Sequence, residues 1–96
     1  MIDVACAHIQ IKGYVQGVGF RYFAQERALA LKLTGWVRNR DEDRVEIQAE
    51  GSRENIDQFI RSVSRGPTMA RVVEFTVEWL PPSGRYNHFS ITPSGY

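Results

Sequence analysis

Only one cysteine, Cys6, occurs in the 96 residues, so no disulfide can form within the chain. That scarcity fits a reducing compartment, and Cys6, beside the first alternating segment, is expected to serve as a small apolar filler. No apolar run approaches the roughly 18 residues that a membrane-crossing helix needs, and no signal-peptide pattern opens the chain. The expected setting is the cytoplasm, with no membrane partner. Charge of one sign is not in excess either. Twelve Lys and Arg against 11 Asp and Glu leave a formal net charge of +1, with no strongly basic stretch, so a nucleic-acid partner is not expected. Metal-ligand spacing is missing as well: His8 and His88 lie 80 residues apart with no acidic or cysteine partner at ligand spacing, and Asp41-Glu42-Asp43 reads as a solvated turn. Neither a metal nor a cofactor is expected. Internal repeats and low-complexity segments are absent.

What remains is the pattern of a small folded domain covering residues 1–96, with 43% hydrophobic residues and about 65% of the unfolded chain's surface buried on folding. "AHIQIKGYV" (7–15) alternates Ala7, Ile9 and Ile11 against His8, Gln10 and Lys12, which is a half-buried strand. Phe20, Phe23, Ala24, Ala28 and Leu31 recur at helical spacing up to Lys32, and Gly35 is expected to close that helix. Trp36 to Arg40 and the alternation Val45, Ile47, Ala49 flank an acidic turn and read as a hairpin. Ser52 is a suitable N-cap for a second helix with the stripe Ile56, Phe59, Ile60, Val63, stopped by Gly66-Pro67. "RVVEFTVEWL" (71–80) places Val73, Phe75, Val77 and Trp79 on one side of a long strand, and "HFSIT" reads as a short last one. The order is β-α-β-β-α-β plus a final strand: an α+β, ferredoxin-like split βαβ arrangement, with an antiparallel sheet and both helices on one face.

That topology assigns a location to one unusual segment. "YVQGVGFRYFA" (14–24) sets Gly17 and Gly19 immediately before a helix and Arg21 in its first turn. A helix N-terminus already carries about half a positive charge, so a guanidinium there is mildly unfavourable on its own. Glycines let successive backbone N–H groups face inward as a nest for an anion, and a guanidinium presents a planar fork of donors to phosphate oxygens. The competing reading is a tight turn with Arg21 in solvent. The loop fits neither G-x-x-x-x-G-K-[ST] nor G-x-G-x-x-G and is too short for more than one phosphoryl group. The first two strands run the same way, so Asn39, near the end of the second, leaves the same sheet end. With one strand between, the separation is about 9 to 10 Å. A small molecule could span it. Asn39 could equally be a turn residue bonded to its own hairpin, and the connection Arg65 to Ala70, which emerges at that end too, reads first as a helix stop and strand entry.

"GYVQGVGFR" (13–21), with Asn39 inside "GWVRN", resembles the two signature segments of the acylphosphatases. The likeness continues through "VEIQAEG" (45–51), "GPTMARV" (66–72) and "HFSI", covering nearly the whole chain. It departs at Asp43, in the hairpin turn, where the family usually has glycine; an aspartate is expected to tolerate the left-handed conformation there. The resemblance implies hydrolysis of a carboxyl-phosphate anhydride to carboxylate and phosphate, without a cofactor or metal. It implies that Arg21 binds the phosphoryl group, that Asn39 orients the attacking water, and that the backbone amides of Gln16, Gly17, Val18, Gly19 and Phe20 complete the cradle. The partners expected from it are a small acyl phosphate and inorganic phosphate as product and weak inhibitor, acting on a monomer. Related domains also form the N-terminal part of carbamoyl-transferring hydrogenase-maturation enzymes, so a catalytically silent phosphate-binding or docking module is the alternative. An RNA-recognition module of the same element order is not supported, because the third strand, "RVEIQAE", carries no aromatic residue to stack on bases.

Overall fold

The computed structural model describes residues 3–93. Its elements are β1 (Val4–Tyr14), α1 (Phe20–Ala30), β2 (Thr34–Arg40), β3 (Arg44–Ser52), α2 (Arg53–Arg65), β4 (Arg71–Leu80) and β5 (Phe89–Ile91). The strands form one sheet in the order β4-β1-β3-β2-β5. Antiparallel pairing joins β1 to β3 and β4, and β2 to β3, whereas β5 lies parallel to β2. The sheet is therefore mixed, not wholly antiparallel as expected. The chain leaves β4 at one edge, crosses the sheet and enters β5 at the other, and after that crossing it runs in the direction of β2.

Register explains why one face is apolar. Ile9 stands opposite Ile47 on one side and Val77 on the other, and Ile47 in turn faces Val37. Ala7, Ile11, Val45 and Ala49 share that face and are fully buried, together with Phe20, Ala24 and Ala28 of α1 and Ile56, Phe59 and Val63 of α2. Both helices thus cover the same face, each large side chain contributing about 1.5–3 kcal/mol of burial. The other face holds His8, Gln10, Lys12, Arg38 and Glu46 in cross-strand rows.

Three local departures have physical causes. α1 stops at Ala30, before the expected end, because Lys32 turns left-handed at φ 57°. Its N–H donates to the Leu29 carbonyl, and the Leu33 N–H donates to that of Ala28, which closes the helix as a Schellman motif with buried Leu33 as its apolar contact. Gly35 belongs instead to β2, where a Cβ would lie 1.8 Å from the Gln48 carbonyl oxygen. Where β1 pairs with β4, the register shifts between Lys12, opposite Glu74, and Gly13, opposite Val72. Val72 then packs against the core, and Val73, expected on the apolar side, is 78% exposed. Gly13 permits this bulge, since a Cβ there would sit 2.1 Å from the Arg71 carbonyl oxygen.

Candidate active site

Because β3 lies between β1 and β2, and α1 connects two strands that run the same way, the loop after β1 and the end of β2 meet at one end of the sheet. Val15 anchors the loop as a buried residue directly after β1. Gly17 and Gly19 follow in the left-handed region, at φ 74° and 79°. The space a Cβ would occupy at either is empty of protein atoms within 4 Å, so their requirement is conformational and not a matter of crowding. Gly19 is the N-cap of α1 and offers no side-chain acceptor, and no acidic residue lies in the first turn. The N–H groups of residues 16–20 donate to no acceptor among the described residues. A row of unspent donors therefore sits at the positive end of a helix.

Val15, Gly17, Gly19, Phe20, Arg21, Tyr22 and Asn39 line one cavity of about 210 Å³. Arg21, half-buried, makes no hydrogen bond or ion pair among the described residues. Asn39 is the counterpart on β2: its Oδ1 is buried and has no hydrogen-bond partner among the described residues, an arrangement that costs about 1–3 kcal/mol when nothing enters the site. It is not bonded to its own hairpin. Guanidinium, amide dipoles and helix end all favour a small anion, and a lone amide oxygen beside them can accept from a water. The volume is below the roughly 300–1,000 Å³ of sites that take drug-sized ligands.

Gln16 and Val18 do not line the cavity. The side chain of Gln16 instead turns to the β2–β3 hairpin, donating through Nε2 to the carbonyls of Arg40, Asp41 and Arg44 at 3.2, 3.1 and 2.9 Å. This contact was not visible in the sequence, and neither was Tyr22 as a lining residue. The left-handed position of the hairpin turn is Asp41 at φ 56°, not Asp43. Asp43 accepts the Gly13 N–H through its carbonyl at 2.9 Å. The connection after α2 also touches the site: a Cβ on Gly66 would meet the Phe20 ring at 2.7 Å.

The open face of the sheet contrasts with this end. A second concavity of about 210 Å³ is lined by Gln10, Ile11, Lys12, Arg44, Glu74 and Thr76, and none of these side chains holds an unpartnered buried polar atom among the described residues. Beside it, the buried Glu46 carboxylate accepts from His8 Nε2 at 2.6 Å, Arg38 Nε at 2.7 Å and Arg40 Nη1 at 3.2 Å. Burial alone would push this carboxyl up, but donation from Arg38, His8 and Arg40 outweighs it and holds the group below its ordinary value. Its stabilising contribution is therefore complete above the ordinary carboxylate range and is lost as pH falls through the lowered value. Glu50 is treated similarly: burial pushes it up, and the N–H of Gly84 with the groups of Ser83 pulls it below normal. Next to it, burial first and the Glu50 charge second push the Cys6 thiol up to about 11, which leaves it an inert filler.

No helix among the described residues is long and apolar enough to cross a membrane. Comparison with known proteins agrees with the geometry. The family model for acylphosphatase matches residues 7–91. A curated acylphosphatase of Bacillus licheniformis is 45% identical over 84 residues, spanning 88% of this chain and 93% of that protein. The crystal structure of acylphosphatase from Bacillus subtilis superimposes with a TM-score of 0.88 at 41% identity, covering 92% of this chain and 98% of that one. Full-length HypF, in a phosphate- and nucleotide-bound form, matches 98% of this chain with 12% of its own, at a TM-score of 0.89 and 32% identity. Loop, guanidinium and asparagine thus stand on a scaffold shared along almost its full length, and the chain belongs to the acylphosphatase family.

Proposed function

We propose that this chain, acting as a single domain, hydrolyses acyl phosphates to a carboxylate and inorganic phosphate at the cavity between residues 16–21 and Asn39. The observation that carries this reading is that the buried Oδ1 of Asn39 and the Arg21 guanidinium share one cavity and have no partners among the described residues. Arg21 and the N–H groups of Gly17, Gly19 and Phe20, which line the cavity, bind the phosphoryl oxygens and stabilise charge as it redistributes over them. Asn39 accepts a hydrogen bond from a water and sets it in line with the departing oxygen. The leaving carboxylate belongs to an acid of pKa about 4 and departs without a proton donor. Phosphoryl transfer of this kind requires mainly positioning and charge stabilisation. The proton lost by the water passes to a phosphate oxygen of the substrate.

Turnover of benzoyl phosphate by the wild type and by Asn39→Ala, in excess EDTA, tests this reading. Hydrolysis that persists in EDTA and falls by about 10²–10³ in kcat in the variant is expected, with affinity for inorganic phosphate changed only a few-fold. The likeness to one segment of HypF favours a second reading, a phosphate-binding module without turnover. Phosphate binding with no hydrolysis by the wild type would select it.

A further inference from the structure

The loop and Asn39 belong to different elements, so something must hold them in register. We propose that the Gln16 side chain is the strap that fixes the loop against the β2–β3 hairpin and thereby sets the position of Asn39 relative to Arg21. This positioning role rests on the reading of the site given above. Gln16 Nε2 reaches three carbonyls at once, those of Arg40, Asp41 and Arg44. Arg40 directly follows Asn39, and Arg44 is its cross-strand partner, so the contacts close around the mouth of the hairpin that carries Asn39. The β1–β3 ladder ends at Lys12 opposite Arg44; past it, the Gly13 N–H to the Asp43 carbonyl is the one further backbone tie to this hairpin among the described residues, and Gln16 carries the connection into the loop.

The chemistry of the side chain suits the task. Three carbonyls need a donor, and an amide nitrogen supplies two N–H groups that can be shared among them. A carboxylate of the same shape only accepts, and would face three carbonyl oxygens with a fourth concentration of negative charge. Gln16→Glu therefore opposes the strap with little change of volume, and Gln16→Ala deletes it. The Gln16 side chain does not touch the reacting atoms in this scheme. It acts through Asn39.

Two measurements test the proposal. Amide hydrogen exchange at residues 40–44 is expected to accelerate in Gln16→Ala and more so in Gln16→Glu; unchanged exchange in both would overturn the strap whatever the kinetics. In benzoyl phosphate hydrolysis, Gln16→Ala is expected to lower kcat by roughly 10- to 100-fold, the scale of a small misplacement in a positioned site. In an Asn39→Ala background the same substitution should cost less than about 3-fold, because the residue it positions is gone. An equal loss in both backgrounds would overturn the positioning role. Faster exchange together with an Asn39→Ala variant of undiminished rate would support the strap and place the error in the role given to Asn39.

Discussion

The two helices of this fold begin in opposite ways. α2 starts at Ser52, whose hydroxyl accepts the Asn55 N–H at 3.1 Å, and carries Glu54 in its first turn. α1 starts at Gly19, with no side-chain cap, and carries Arg21 in its first turn. Counted from their caps, Glu54 and Arg21 occupy the same position. One helix is completed by its own sequence, with an acceptor and a negative charge at its positive end. The other is left incomplete, and a small anion would complete it. Buried side chains show the same contrast: Glu46 and Glu50 on the open face are fully partnered, whereas Asn39 Oδ1 is the one buried side-chain polar atom without a partner among the described residues.

The comparison breaks most visibly when α1 is given the charge of α2. Arg21→Glu is expected to remove hydrolysis by a factor of about 10³ or more, the scale of a lost transition-state arginine. At the same time it should raise stability in phosphate-free buffer by about 0.5–1 kcal/mol, since an acid replaces a base at a helix N-terminus. Added phosphate should raise the Tm of the wild type and leave that of the variant unmoved. A variant less stable than the wild type in phosphate-free buffer would mean that the empty site carries no electrostatic cost.

The converse change leaves chemistry alone. Ser52→Ala removes the acceptor that completes α2, and a loss of about 1 kcal/mol in denaturant unfolding is expected, with kcat and KM unchanged. A fall in kcat matching the fall in stability would show that the two helix starts are not independent, and the contact between Gly66 and Phe20 would be the path to examine.

The sequence made much of this contrast legible, because it is written in local chemistry. Ser52 before an apolar stripe, and glycines with an arginine before another, declare their helix starts without knowledge of the rest of the chain. Alternation placed Ile9 and Ile47 each on the apolar face of its own strand, and chain direction then brought Arg21 and Asn39 to one end. Contacts that depend on pairing were not legible. The bulge exposing Val73 arises from how close Gly13 comes to Arg71, and the strap of Gln16 depends on carbonyls 24 to 28 positions away. The left-handed residue of the hairpin fell at Asp41 rather than Asp43, a choice set by how the turn closes between the paired strands and not by local residue type.

The ends of the helices give the smallest and most separable effect. α2 finishes at Gly66, with φ 74° and its N–H bonded to the Ser62 carbonyl, whereas α1 finishes through Lys32 at φ 57°. A lysine in the left-handed region bears a steric cost of roughly 1–2 kcal/mol that glycine avoids. Glycine in turn leaves the unfolded chain more freedom, which offsets part of that difference. Lys32 is exposed and makes no ion pair among the described residues, so little else is lost with its side chain. Lys32→Gly is therefore expected to stabilise the fold by about 0.5–1 kcal/mol, read from the shift of the urea midpoint at constant m-value, with turnover unaltered. A destabilised Lys32→Gly would mean that the Lys32 side chain itself supports the turn. An altered rate would instead mean that the far end of α1 reaches the cavity at its start.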